Sequence, residues 1–353
     1  MQFILPPTPV LPKGRHTAIR DEAPPIDGQS VEAMATLAMK AEKLDLEDRS
    51  RGGRIGERDV CVRINTMLET ENEYLCQDYL GAIGPDEGGS IDEVCRNKMC
   101  EWIFHVVDST KLRRDTAGQA MNILDRFLGT GSRRAWEVMR SRREFQLCAI
   151  TTLYIAAKIG EPYLMDAITM SKLSRGMHTV KEITSMELDI LTSLRWKVNC
   201  PSPYEIANHV LELLPASAGP AAERIYSHSQ FQTELATGDY AFVPLHRSTI
   251  AIAAVFNSLG GVDPEDFPIR DRTVFVQSIA RQFDIDLESP LLAAVRERLL
   301  ESFERSSGYQ LRQTFLPCGS NRSEGEVDLC RKSVENSPGC VAKEAALSLG
   351  FEV

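Results

Sequence analysis

The sequence lacks the motifs that identify most enzymes and metal-binding proteins. It contains no glycine-rich phosphate loop, no H-R-D or D-F-G motif and no nucleophile elbow. Its nine cysteines form no C-x-x-C pair, and its six histidines never approach H-E-x-x-H or a Cys/His pairing. An odd number of scattered cysteines is typical of reduced thiols. We therefore expect a binding function, with no catalytic residue, bound metal or cofactor.

An excess of basic residues and a long apolar run are also missing. The 50 acidic residues outnumber the 40 basic residues, and the net charge of −10 disfavours electrostatic binding of nucleic acids. Apolar stretches end before the ~18 residues that span a bilayer. Met1–Val10 has neither the basic start nor the apolar core of a signal peptide. These absences predict a soluble, intracellular protein without a nucleic-acid or membrane partner.

Strand-like alternation of Val, Ile and Thr is nearly absent, whereas apolar residues recur at helical spacing. Five helical segments precede Pro201 and Pro203, and the third, Phe145–Ile159, is apolar nearly all round, as expected of an enclosed helix. A similar series of five follows, with His246–Leu259 as its enclosed member. The predicted fold is all-α, with one five-helix unit used twice.

Composition places this duplicated unit between two arms. Residues 1–60 are rich in proline, and residues 307–353 carry Gly, Ser, Asn and charge without a long apolar face. Both arms are predicted to be mostly disordered. The two helical domains are predicted at 61–200, which includes a preceding helix, and at 201–306.

Short segments of the first repeat carry a family resemblance. In chain order they are Cys95–Trp102, Leu124–Leu128, Gln146–Lys158 and Met186–Glu187. They resemble, in order and spacing, the M-R-x-I-L-x-x-W, I-D-R-F-L, Q-L…A-S-K and M-E motifs of the cyclin box. Asp239–Ala254 is similar to the corresponding part of a second cyclin box. The chain therefore resembles the cyclin family, which implies two tandem five-helix cyclin-box domains.

The resemblance implies a non-catalytic regulatory subunit that binds and activates a cyclin-dependent serine/threonine protein kinase and controls cell-cycle progression. Such a protein is expected in the nucleus and the cytoplasm. D-type and A/B-type features are mixed: Met67–Tyr74 resembles the D-type helix before the box, yet L-x-C-x-E is missing, as is R-x-x-L from the N-terminal arm. The alternative is a cyclin-fold adaptor in transcription that does not activate a kinase. Such adaptors need not keep Lys158 and Glu187.

Lys158 and Glu187 occupy the positions at which cyclins bracket a kinase helix with hydrogen bonds, the lysine as donor and the glutamate as acceptor. Composition alone would make both of them ordinary surface charges of helices. The resemblance adds four apolar residues to this kinase-binding surface: Ile159, Leu191, Trp196 and Val198. Leu191 is also consistent with a plain core position.

Other residues of the first repeat match structural or docking positions of the family. Arg96 and Asp125 resemble a buried ion pair between the first two helices of the box, which is a feature of the fold. Met99, Trp102 and Gln146 resemble a patch to which kinase substrates or inhibitors dock, which makes such proteins candidate partners.

Two further polar features are less typical of the family. Lys98 and His105 replace an apolar residue and an acid of the docking patch, so an altered groove is expected. Five arginines between the second and third helices are interpreted as a solvated connector. They are Arg133, Arg134, Arg140, Arg142 and Arg143.

Overall fold

In the computed structural model the described residues are 56–81, 91–162 and 165–306. They contain helices and no strand, so the all-α prediction is confirmed for this part of the chain. Apart from 56–60, the predicted disordered arm and tail lie outside these residues. Backbone contacts set residues 10–62 apart as a unit of their own, of which the structure describes residues 56–62.

The first repeat is built around one central helix. The helices before Pro201 are α1 (Glu57–Glu71), α2 (Glu93–Thr110), α3 (Arg114–Leu128), α4 (Arg133–Met139), α5 (Arg142–Gly160), α6 (Ala167–Leu173) and α7 (Val180–Ser193). Helix α5 packs against α2, α3, α4, α6 and α7. It can do so because small and apolar residues surround its axis, and all residues from Phe145 to Leu153 are buried.

The second repeat follows the same plan with a different central helix. The helices after Pro201 are α8 (Pro203–Leu211), α9 (Ala222–Gly238), α10 (Arg247–Gly260), α11 (Ile269–Gln282) and α12 (Pro290–Arg305). Helix α10 packs against α8, α9 and α12, and all residues from Ile250 to Leu259 are buried. The second series of five helices predicted from the sequence is therefore present.

Helix α4 corrects one expectation from the sequence, because the arginine-rich connector is not simply solvated. Ser132 caps the helix by accepting a hydrogen bond from the Ala135 backbone N–H, and the apolar face of the helix is buried. Arg134 forms ion pairs with Glu144 at 2.7 Å and Asp189 at 3.0 Å. A short apolar stripe among charges is enough to form this helix. Arg133, Arg140 and Arg143 are exposed as expected, and the Arg133 side chain is 94% exposed.

The two repeats are joined by side-chain hydrogen bonds as well as by packing of α9 against α2 and α3. The Tyr240 hydroxyl accepts from the backbone N–H groups of Tyr79 at 3.0 Å and Leu80 at 2.9 Å. The Glu71 carboxylate accepts from the backbone N–H of Ser248 at 2.9 Å and from its hydroxyl at 2.6 Å. Glu71 thereby satisfies N–H and hydroxyl donors at the start of α10 and fixes the end of α1 against the second repeat.

Candidate functional site

Lys158 and Glu187 lie together on the surface formed by α5 and α7. Lys158 is in the last turn of α5, and its Nζ donates to Glu187 Oε1 at 2.7 Å. The same Nζ lies 4.7 Å from the centroid of the Tyr154 ring. The hydrogen bond to Glu187 raises the pKa of Lys158, so the ammonium is charged at neutral pH. The structure therefore brings the two predicted site charges into one ion pair.

The Lys158–Glu187 pair is less exposed than a simple surface ion pair. The Lys158 side chain is 38% exposed, but the Glu187 side chain is only 15% exposed. Composition alone made both of them ordinary surface charges, and for Glu187 that interpretation is wrong. Packing of α5 against α7 covers the glutamate on one side, while the end of α5 leaves the lysine in solvent.

Apolar side chains flank the pair unevenly. Ile159 is 46% exposed and Trp196 is 67% exposed, whereas Leu191 and Val198 are partly buried against the core. The sequence did not indicate Leu188, which is 59% exposed beside Glu187. Its polar-face position on α7 is a signal that could have identified it, because an exposed leucine there has no core to fill.

The turn after α7 presents Trp196 in a strained conformation. Arg195 and Trp196 have φ angles of 51° and 62°, in the left-handed region that non-glycine residues rarely adopt. The Trp196 backbone N–H donates to the Leu191 carbonyl at 2.8 Å, which closes the helix end. The chain therefore turns sharply and leaves the indole ring in solvent.

Helix α7, which carries Glu187, begins with a capping box. The Thr179 side chain accepts from the Glu182 backbone N–H, and the Glu182 carboxylate accepts from the Thr179 backbone N–H at 2.7 Å. Arg143 of α5 also donates to Glu182 at 2.5 Å. The Thr179 backbone bond and then Arg143 lower the pKa of Glu182 to about 2. These bonds hold the start of α7 against α5. They thereby fix the position of Glu187 on α7 relative to Lys158 on α5.

Arg96 and Asp125 form a buried bidentate ion pair between α2 and α3. Arg96 Nε and Nη2 donate to the two carboxylate oxygens at 2.8 and 2.7 Å, and the side chains are 2% and 4% exposed. The Tyr79 hydroxyl donates to the same carboxylate at 2.8 Å. The structure brings these two residues together inside the protein, where they cannot contact a partner.

The expected substrate-docking patch has no open surface in this structure. Met99 is 0% exposed, Trp102 5% and Gln146 4%. The two residues of α2 lie on its core-facing stripe, and Gln146 lies in the first part of the enclosed helix α5. The resemblance identified the positions, but the packing of α2 on α5 makes these three side chains part of the core.

Residues 63–199 match the family model described as "Cyclin, N-terminal domain". The match contains α2 to α7 and both charges of the ion pair. The chain therefore contains a domain similar to the cyclin N-terminal domain. Lys158 and Glu187 are residues of that domain.

The curated relatives of this chain include cyclins named for different cell-cycle stages. G1/S-specific cyclin-D1 of Mus musculus is 26% identical over 236 residues, which cover 66% of this chain and 75% of the relative. G1/S-specific cyclin-D2 of Gallus gallus is 24% identical over 270 residues, 75% of this chain and 87% of the relative. G2/mitotic-specific cyclin S13-7 of Glycine max is 27% identical over 186 residues, which cover 53% of this chain and 66% of the relative. Similarity to both classes agrees with the mixed subtype features of the sequence.

Solved structures with a related arrangement include a viral cyclin from herpesvirus saimiri. It has a TM-score of 0.46 and 16% identity, and the similarity covers 63% of this chain and 96% of that one. A chain of the CAK complex from Chaetomium thermophilum bound to ATP-γ-S has a TM-score of 0.46 and 14% identity, and the similarity covers 85% of this chain and 90% of that one.

No group of His, Cys, Asp or Glu side chains among residues 56–81, 91–162 and 165–306 is arranged to hold a metal ion. Within the same residues, every helix is too short or too polar to cross a membrane.

Proposed function

We propose that this protein is a cyclin, a non-catalytic regulatory subunit that binds and activates a cyclin-dependent serine/threonine protein kinase. In this role it controls cell-cycle progression and acts in the nucleus and the cytoplasm. The observation that carries the proposal is the Lys158–Glu187 ion pair, which lies near exposed apolar side chains on α5 and α7. The match of residues 63–199 to the cyclin N-terminal domain and the similarity to cell-cycle cyclins support it.

A protein kinase is active when a lysine of one strand pairs with a glutamate of one helix, so the position of that helix controls activity. In the proposed complex, Lys158 donates to backbone carbonyls of the kinase helix and Glu187 accepts from a backbone N–H. The Lys158 ammonium has N–H donors besides the one that binds Glu187, and these can donate to the kinase. Because the pair is already formed, less side-chain freedom is lost on binding.

The apolar part of the surface supplies the area that such contacts need. Ile159 follows Lys158, Leu188 follows Glu187, and Trp196 lies just beyond the end of α7, all three with more than two fifths of their surface exposed. Burying large apolar and aromatic groups at the centre of an interface provides most of its binding free energy. The charged pair then fixes the register of the kinase helix.

The double variant Lys158→Ala with Glu187→Ala tests the proposal. We expect it to fold, with a loss of about 1 kcal/mol or less, because one partner of the pair is solvent-exposed. Kinase binding should weaken by about 2–5 kcal/mol, since each change leaves a desolvated kinase backbone group unpaired. The measurement is co-purification of a kinase from synchronised cells, followed by phosphorylation activity of the recovered complex.

A matched control removes a different ion pair. Arg305 and Glu301 on α12 pair at 2.5 Å with 74% and 54% exposed side chains, so Arg305→Ala with Glu301→Ala deletes the same two charge signs far along the chain. This control should bind and activate the kinase like the wild type. If the Lys158/Glu187 variant also activates at wild-type concentration, the kinase-activating role is wrong and the transcriptional adaptor becomes the better hypothesis.

A further inference from the structure

A cavity of the N-terminal domain lies away from the ion pair of Lys158 and Glu187. It has a volume of about 300 Å³ and opens between three segments that are distant in the sequence. These are the stretch after α1, the end of α3 and the turn after α7, represented by Glu73–Gln77, Arg126–Thr130 and Ser193–Lys197. Three basic side chains line it: Arg126, Arg195 and Lys197.

Arg126 is the unusual member of this cavity. The residue is only 7% exposed, and its Nη1 is buried without a hydrogen-bond partner. Among the described residues it contacts the Tyr74 ring, 4.6 Å from the guanidinium carbon, and no carboxylate pairs with it. A buried guanidinium is normally paired, because its desolvation is otherwise uncompensated.

The groups around Arg126 do not neutralise it. Burial raises the pKa of the Cys76 thiol to about 12 and that of the Cys200 thiol to about 11, so both are uncharged at neutral pH. Arg247 adds a second positive charge nearby. Burial therefore lowers the pKa of Arg126 itself. The cavity thus contains the Arg126 guanidinium, a group that can bind an anion, and no described residue supplies that anion.

The other lining charges leave an excess of positive charge. Lys197 pairs with Glu73 at 2.5 Å, whereas Arg195 is exposed and pairs with none of the described carboxylates. Three cations and one carboxylate leave two uncompensated positive charges in the lining. A phosphate monoester carries a charge close to −2 at neutral pH, and its oxygens accept paired hydrogen bonds from a guanidinium.

We propose that this cavity binds the phosphate group of a phosphorylated serine or threonine in a peptide segment. Arg126 donates to the phosphate oxygens at the base of the cavity, and Arg195 contacts them at its mouth. A side-chain phosphate fits better than a nucleic acid, because a net charge of −10 repels an extended polyanion but not a short segment. This site is independent of the kinase-activating role proposed above.

Titration calorimetry on the full-length protein tests the proposal. The probes are a peptide with one phosphothreonine flanked by glycines, its unphosphorylated counterpart and inorganic phosphate. We expect saturable binding of the phosphopeptide only, weakened by salt. If inorganic phosphate binds as tightly as the phosphopeptide, the claim that the cavity recognises a phosphorylated peptide is wrong. If neither probe shows saturable binding, the cavity is not a phosphate-binding site.

Three variants locate the binding. Arg126→Met should lower affinity for the phosphopeptide about tenfold or more, as expected for a lost hydrogen bond to a charged group. Arg195→Gln, at an exposed position, should lower it several-fold even if Arg126→Met does not fold. The control Arg133→Gln removes the same charge from a 94% exposed side chain outside the cavity and should change nothing. Equal effects of Arg195→Gln and Arg133→Gln would show unspecific charge attraction and refute the site.

Discussion

At the scale of single residues, the Arg96 guanidinium binds groups of both repeats and not only Asp125, its partner in the ion pair. It binds Asp125 in the first repeat, and it also donates to the backbone carbonyls of Thr237 at 3.1 Å and Gly238 at 3.3 Å in the second. Tyr79 shares the same carboxylate. A buried guanidinium with all three of its nitrogens hydrogen-bonded is stable only as a complete set, since removal of one partner leaves the others unpaired.

Asp125→Ala therefore should destabilise the protein strongly. Arg96 would lose its counter-charge and Tyr79 its acceptor, and we expect a loss of about 3–5 kcal/mol in the free energy of unfolding. Urea unfolding followed by circular dichroism measures it. Glu301→Ala, which removes the carboxylate of an exposed pair, is the control and should cost about 1 kcal/mol or less. Equal midpoints for the two variants would mean that the Arg96 pair contributes no more than a surface pair.

At the scale of elements, helix α7 shows how a cap far from the candidate kinase surface positions it. Thr179 and Glu182 satisfy backbone N–H groups at its start, and Arg143 adds a bond from α5. Asp189 receives a bond from Arg134 of α4 at 3.0 Å. The helix is therefore anchored at its start to α5, which also carries Lys158, and at its middle to α4.

Thr179→Ala removes this cap. We expect a loss of about 1 kcal/mol in the free energy of unfolding, because the Glu182 backbone N–H loses its acceptor. Thr192→Ala, the same exchange at an exposed position near the end of α7, is the control and should be close to neutral. Thermal and urea unfolding of both variants measure the difference. A Thr179→Ala protein as stable as Thr192→Ala would show that the capping box is unimportant.

At the scale of the whole molecule, a group of charges lies where the two repeats meet. Arg114 of α3 pairs with Glu234 of α9 at 3.0 Å and with Asp108 of α2. Burial raises the pKa of Glu234 to about 7 although Arg114 opposes this shift, and burial together with Glu205 raises the pKa of Asp115 to about 6. The contact between the repeats therefore contains carboxyl groups that titrate near neutral pH.

These shifts predict a pH dependence of stability with a definite sign. A carboxyl group whose pKa is higher in the folded than in the unfolded protein makes the folded state bind more protons between the two values. Stability should then fall as pH rises from about 4.5, the ordinary value for a glutamate, to about 7, and change no further from this group above it. The loss from Glu234 should be on the order of 1–3 kcal/mol.

Glu234→Gln isolates this contribution. The glutamine mimics the neutral carboxyl group, so the fall in stability between pH 5 and pH 8 should be smaller in the variant than in the wild type. Glu223→Gln, near the start of the same helix α9, is the control. It makes the same exchange but leaves Glu234, whose raised pKa is the basis of the prediction, in place. Urea midpoints at the two pH values measure it, and identical pH profiles for wild type and Glu234→Gln would disprove the role of this group.

Much of the fold could be predicted from local patterns. Helical spacing identified the central helices α5 and α10, because a helix that is apolar nearly all round has no other stable position. Helix α4 was missed, because its apolar stripe is short and its arginines resemble a solvated segment. The carboxylates that pair with Arg134 belong to α5 and α7, and no local pattern reveals these partners.

The sequence by itself determined the all-α class, the repeated helical series and the resemblance to cyclins, since these depend on periodicity and on motifs within single segments. Only the tertiary structure decided which charges meet. It paired Lys158 with Glu187, left the glutamate side chain only 15% exposed and placed the Trp102 side chain in the core. It also left Arg126 in a cavity without a described counter-charge. Burial and pairing depend on surfaces contributed by helices distant in the sequence, and that information exists only after the helices have packed.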